Sequence, residues 1–297
     1  MRRSLFLILS ILSFSSCGVS LIRGNPNFYP GPAHKEGYQE QGIVEEVVQP
    51  CSVPGPTQRR MIVYLPPDYY KDTTTRYPVF YLLHGARGYE TSWIRKGYVY
   101  ETTDSLFREG LAVPCIVVMP NVNQYNNDKD YEGGRFKGAF ESILEVNGRV
   151  ESAFVNDVVH LTDSLYRTIP DKQHRAIAGL SIGGYQSIWL SANHPDTFDY
   201  IGAMSPYMWS LGWPNKEYMH FYTRITSKLR KQFQDPPRQY YLYAGKWDMM
   251  RPAVLSYHRF MNRNNYRHSY KKYPGSHDWV NGWIDEYCEM LQAVFKD

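Results

Sequence analysis

AIAGLSIGGYQ, residues 176–186, places one serine between two glycines, directly after an apolar run and directly before a helical pattern. A strand passing smoothly into a helix has no need of glycine on both sides. The pair marks a turn too tight for a Cβ, with Ser181 forced outward at its apex. The surrounding segments extend the pattern. VFYLL (79–83) and CIVVM (115–119) are continuous apolar runs suited to strands covered on both faces. YIGAMS (200–205), YYLYA (240–244) and SYKKYP (269–274) read as further strands. Helices are predicted near 98–110, 150–168, 182–193, 216–232, 251–263 and 279–295. IVEEVV (43–48) and MIVYLP (61–66) alternate as neighbouring antiparallel strands near a sheet edge. The expected architecture is α/β, with a mostly parallel central sheet, antiparallel strands at one edge and helices on both faces.

The chain has 297 residues, of which 43% are hydrophobic and 21% charged, enough for one large α/β domain. Twenty-six tyrosines against 13 phenylalanines suit clefts that bind sugars or aromatic acids, and a compositional habit explains them equally. The formal charge is +4, and removing Arg2 and Arg3 with a leader leaves +2. No dense Lys/Arg cluster occurs, which argues against a nucleic-acid partner. MRRSLFLILSILSFSSC begins with two arginines and an apolar stretch too short to span a bilayer comfortably. Residues 1–16 are expected to be a lipoprotein-type signal peptide, with Cys17 lipidated after cleavage. The mature chain would then be exported and membrane-anchored, periplasmic or at the cell surface, or secreted if Cys17 carries no lipid. Residues 17–41, with Pro26, Pro30, Gly31 and Pro32, read as a tether, and 42–297 as the domain. Cys51, Cys115 and Cys288 remain, an odd number, and no metal-ligand spacing is present. Cys115 and Cys288 read as small buried hydrophobes.

A strand, G-x-S-x-G and a helix in succession form the nucleophile elbow of the α/β-hydrolase fold. Here Gly179-Leu180-Ser181-Ile182-Gly183 supplies it, with Ser181 as the nucleophile. A serine hydroxyl needs a base to take its proton, and the base needs a third group to orient it. In this fold the chain order is serine, acid, histidine. Of the histidines after Ser181, His194 precedes Pro195 at a helix end, His220 and His258 fall within helical patterns, and His268 starts a strand. His277, in YPGSHDW, sits in a loop beyond a strand's carboxyl end, where open parallel sheets collect active-site residues. Asp248, following YYLYA through a short turn, is the acid at the same edge; its competing reading is a helix N-cap. Asp278 is expected to cap the last helix. Oxyanion donors are expected from the N–H groups of Ile182, after the nucleophile, and Ala86, in the loop after VFYLL. His84 would hold that loop.

RYPVFYLLHGARGYETSW, CIVVMPN, RAIAGLSIGGYQS, HPDTFDYIGAMS, YAGKWD and YPGSHDWVNGW occur in an order that resembles the esterase D-like branch of α/β hydrolases. That branch includes the carbohydrate esterase family 1 feruloyl and acetylxylan esterases. The resemblance spans roughly residues 42–295 and implies a serine esterase without metal or organic cofactor, with Ser181, Asp248 and His277 as its triad. Ile182 stands where methionine is common, and Met249 and Met250 replace the usual small residues after the acid.

Two segments at the catalytic edge are long for plain connections: 120–149, and SPYMWSLGWPNKEY at 205–218. Trp209 and Trp213, together with Trp93, Trp247 and Trp279, are candidates for an aromatic-walled substrate cleft. The expected substrate is an acylated carbohydrate or small ester. An acyltransferase, in which an alcohol replaces water, and a non-catalytic glycan-binding surface lipoprotein are the alternatives.

Overall fold

Every residue of Val79–Leu83 is buried, because the segment lies inside the sheet and feeds side chains alternately to its two faces. Val79, Tyr81 and Leu83 join one apolar core, and Phe80 and Leu82 join the other. The computed structural model describes residues 20–23, 41–50, 58–86, 88–122, 153–208 and 225–296. Among them one sheet is built from β1 (Ser20–Arg23), β2 (Ile43–Pro50), β3 (Gln58–Leu65), β4 (Val79–Leu83), β5 (Ile116–Pro120), β6 (Arg175–Leu180), β7 (Tyr200–Met204), β8 (Gln239–Gly245) and β9 (Ser269–Tyr273). Their order is β1-β2-β3-β5-β4-β6-β7-β8-β9. The neighbours from β5 to β9 run parallel, and β1, β2 and β3 form an antiparallel edge. This is the α/β-hydrolase architecture expected from the sequence.

The helices are α1 (Ser92–Arg95), α2 (Val99–Arg108), α3 (Phe154–His160 in wider π turns, then Leu161–Leu165), α4 (Ile182–Asn193), α5 (225–232), α6 (Arg251–Arg263) and α7 (Ile284–Ala293). Phe154 and Val158 of α3, Ile188 of α4, Leu229 of α5 and Val254 of α6 fill one core. Trp93 of α1, Leu106 of α2 and Tyr287 and Met290 of α7 fill the other. Each such side chain contributes roughly 1.5–3 kcal/mol by leaving water. Two covered faces therefore explain why the central strands are apolar throughout rather than alternating.

Two expectations change, and one element is new. The presumed tether supplies β1, whose Ser20 pairs opposite Val48 of β2. Four residues are too few for a periodic signal, and they pair because β2 otherwise presents an open row of backbone donors and acceptors. The expected helix at 279–295 is regular only from Ile284. Before it, Asn281 has φ 56° and Gly282 φ −152° with ψ −106°. Asn-Gly is a turn pair, and it overrides the apolar spacing of the flanking tryptophans. The short α1 was not anticipated. Residues 1–16, Cys17, Cys51 and 24–40 lie outside the described residues, and no helix among those described is long and apolar enough to cross a membrane.

Candidate active site

Ser181 connects β6 to α4 with φ 54° and ψ −114°, a backbone conformation that L-residues rarely adopt. The surroundings hold it there. Its N–H donates to Met204 O at 2.8 Å, and its carbonyl accepts from Tyr207 N at 2.8 Å and Tyr185 N at 3.1 Å. The flanking glycines are required by contact. A Cβ on Gly179 would lie 2.5 Å from the Gly183 carbonyl carbon, and one on Gly183 would lie 2.4 Å from His84 O. Both obstacles are backbone, so no side-chain movement relieves them.

His277 lies in the loop after β9, and Asp248 follows β8 after a turn closed by Asp248 N donating to Gly245 O at 3.2 Å. The two loops are laced together: Lys246 N donates to Tyr273 O at 2.6 Å and Trp247 N to Gly275 O at 3.1 Å. This brings His277 Nε2 to 3.1 Å from Ser181 Oγ, and His277 Nδ1 to 3.1 Å from each oxygen of Asp248. Trp283 braces the imidazole edge-on, with ring centroids 4.9 Å apart. The Asp248 side chain is fully buried. Burial by itself pushes its carboxyl upward. The hydrogen bond from His277, the imidazole's charge and the Met250 N–H help to outweigh burial, holding the group below the usual carboxylate range. An ionised Asp248 places the imidazole proton on Nδ1 and leaves Nε2 to accept from the serine. Asp248 also accepts from Met250 N at 2.7 Å, so orienting the histidine and supporting the start of α6 are not exclusive roles. Asp278 accepts from Trp279 N at 2.7 Å, but residues 280–282 are not helical and the regular helix starts at Ile284 with Trp283 at its N-cap, so Asp278 does not cap the last helix as expected.

Ile182 opens α4, where backbone N–H groups have no partner within the helix, and Ala86 is exposed in the loop after β4. Neither N–H makes a backbone hydrogen bond among the described residues. The Ala86 loop is fastened by His84, which is fully buried. Its Nδ1 donates to Gly85 O at 2.8 Å, and its Nε2 accepts from Val122 N at 3.0 Å. Burial pushes this imidazole down to about 4, so it is neutral near pH 7, as one donor and one acceptor require.

The tryptophans separate by environment. Trp93 is 0% exposed, donates its indole N–H to Leu83 O at 3.0 Å, and packs against Trp279 and Tyr287. It is therefore core and cannot touch a substrate, which corrects its assignment to the cleft. Trp279 is half-buried between Trp93 and Trp283. Trp247 is 72% exposed beside Asp248, with the Lys246 ammonium 4.7 Å from its ring centroid. Trp209, Trp213 and most of both long segments lie outside the described residues. Among the described residues no group of three or more His, Cys, Asp or Glu side chains could hold a metal, and Cys115 and Cys288 are free thiols. Ser205, directly after β7, is a buried turn residue with φ 47° that the sequence does not mark.

A strained serine, an imidazole and a buried carboxylate at the carboxyl edge of such a sheet are the working parts of a serine hydrolase with the α/β-hydrolase fold. Comparison with known proteins narrows the class. Residues 55–294 match the family described as "Putative esterase", and the chain belongs to that family. An endo-1,4-beta-xylanase/feruloyl esterase of Xylanibacter ruminicola is 34% identical over 146 residues, which is 48% of this chain and 19% of that protein. The chain thus spans about a fifth of this relative's length. Among solved structures, a ferulic acid esterase superposes with TM-score 0.67 at 26% identity, covering 86% of this chain and 98% of the other. A CE1 ferulic acid esterase from the anaerobic fungus Anaeromyces mucronatus shares the fold with TM-score 0.68 at 20% identity, covering 89% and 94%.

Proposed function

We propose that this protein is an exported serine carboxylesterase that removes feruloyl or acetyl groups from polysaccharides or oligosaccharides through an acyl-enzyme. Ser181 Oγ attacks the ester carbonyl as His277 Nε2 takes its proton, and Asp248 stabilises the imidazolium that forms. The N–H groups of Ile182 and Ala86 receive the oxyanion. The imidazolium returns its proton to the leaving sugar oxygen. Water then adds to the acyl-enzyme with His277 again as base, and the carboxylic acid departs. The observation that carries this reading is the relay from Ser181 through His277 to Asp248, with every link at 3.1 Å.

The feruloyl preference is supported by the names of the 34% identical relative and the 26% identical structure. The exposed Trp247 ring next to the acid offers a flat face for a hydroxycinnamoyl group or a sugar. Export is supported by the leader sequence, with Cys17 as the site of lipid attachment to a membrane.

The test is turnover of p-nitrophenyl acetate, methyl ferulate and acetylated xylan by the wild type and by Ser181→Ala. Loss of all turnover in the variant is expected. Equal rates for both would remove the esterase reading and favour a glycan-binding role. Adding oligosaccharide acceptors to the same assay separates hydrolysis from acyl transfer.

A further inference from the structure

The stretch from Met249 to His277 holds four arginines, two lysines and three histidines, and not one aspartate or glutamate. With histidine neutral it carries +6, more than the +4 of the whole chain. It starts directly after Asp248 and stops on His277, and between them run α6 and β9, the last strand of the sheet. Val254, Tyr257 and Met261 turn one side of α6 to the core, so Arg259 and Arg263, one turn apart, stand on the other side and are exposed. Arg267, in the connection to β9, and Lys272 are exposed too. Lys272 alternates with Lys271 and Tyr273, which both engage Glu289 of α7, and so lies on the opposite face, with α6. None of Arg259, Arg263, Arg267 and Lys272 has a carboxylate partner among the described residues. Helix and strand carry these charges as one body: His258 Nδ1 lies 2.7 Å from His268 Nε2, and the His258 ring centroid 5.1 Å from that of Tyr270.

A surface of one sign raises the local concentration of ligands of the other sign. Arginine dominates this one, and a guanidinium pairs with a carboxylate through two parallel hydrogen bonds. The spacing narrows the partner further. Arg259 and Arg263 lie about 6 Å apart along the helix axis, whereas duplex DNA carries a charge about every 1.7 Å. Cations this far apart suit a polymer with occasional carboxylates. The unit also ends on the acid and the base of the triad, so a chain held along it is a chain whose ester can reach Ser181. We propose that the α6–β9 unit is a docking surface for the carboxylates of an acidic polysaccharide. This inference rests on the reading of the protein as a polysaccharide esterase and names its substrate class: a uronate-bearing glycan rather than a neutral one.

The test is affinity electrophoresis of the full chain carrying Ser181→Ala, which leaves the polymer's esters intact. The probes are glucuronoxylan and the same polymer with its carboxyl groups reduced. Retardation by glucuronoxylan alone is expected, and it should fade with added salt, which screens exposed charges. Arg259→Gln, Arg263→Gln and Arg267→Gln together should weaken this binding about tenfold. Arg95→Gln, Lys96→Gln and Arg108→Gln remove the same charge from α1 and α2, across the sheet, and should change it less than about twofold. Melting temperatures of both variants show that the fold is kept. Equal retardation by the two polymers, or equal loss in the two variants, would overturn the inference. So would retention by phosphatidylserine vesicles with none by glucuronoxylan. Methyl ferulate turnover by the wild type keeps the two readings apart. Turnover without retardation removes only the acidic-glycan surface; retardation without turnover removes the esterase reading and leaves the surface standing.

Discussion

Replacing Asp248 by asparagine separates a catalytic acid from a helix-supporting one. The carboxylate accepts from Met250 N at 2.7 Å through Oδ1, and asparagine can keep that bond with its amide oxygen. Asparagine caps helices about as well as aspartate, so a purely structural Asp248 predicts near wild-type activity for the variant. The amide nitrogen would then occupy the Oδ2 position, 3.1 Å from His277 Nδ1. The amide N–H there opposes the Nδ1–H, and the one remaining oxygen is shared with Met250 N, so the tautomer with the imidazole proton on Nε2 is favoured. That nitrogen is 3.1 Å from Ser181 Oγ and is the only one placed to accept the serine proton. The imidazolium also loses its buried negative partner. In a comparable triad this exchange costs about 10⁴-fold in kcat, or about 5.5 kcal/mol of barrier. The assay is p-nitrophenyl acetate hydrolysis at pH 7.5, with urea denaturation of the same samples to show that the fold is intact. A kcat within tenfold of wild type on a folded protein would refute the assignment of Asp248 as the orienting acid.

His84→Gln tests the neutral, buried imidazole that pins the Ala86 loop. Its folded-state value of about 4 lies below the ordinary 6.5, so the unfolded chain binds more protons between those limits. The stability from this group is present above about pH 6.5 and lost as pH falls toward 4, about 3 kcal/mol over the window. Urea denaturation at pH 7 and 4.5 should therefore show a flatter pH dependence in the variant, and equal slopes would contradict the linkage. Gly183→Ala places a Cβ 2.4 Å from His84 O and 2.7 Å from Leu83 O, and should cost about 4 kcal/mol or more by denaturation. Trp93→Ala should lose about 3–5 kcal/mol from the core. Trp247→Ala should stay within about 0.5 kcal/mol of wild-type stability while raising KM for aryl esters, and an unchanged KM would remove Trp247 from the binding surface.

The elbow was legible because its chemistry is local. Gly179 and Gly183 are dictated by backbone crowding within a single strand–turn–helix unit, and such crowding leaves its mark as residue type. His277 and Asp248 were legible by position, since a parallel sheet sends the residue after each strand to the same edge. The assignment of Trp93 to the cleft failed for a matching reason. A tryptophan has the same composition signal whether its ring faces solvent or packs under α1, and only the Leu83 carbonyl that takes its N–H reveals the difference. β1 and the break at 280–282 were hidden because a four-residue strand and a three-residue interruption carry too little periodicity.

The sequence by itself determined the α/β class, the serine at the sharp turn and the edge at which its partners had to be sought, because these depend on hydrophobic period and on where glycine is obligatory. Only the tertiary structure decided that the imidazole reaches the serine and that Trp93 is core. Those facts are distances between residues far apart in the chain, and they follow from strand order and loop packing.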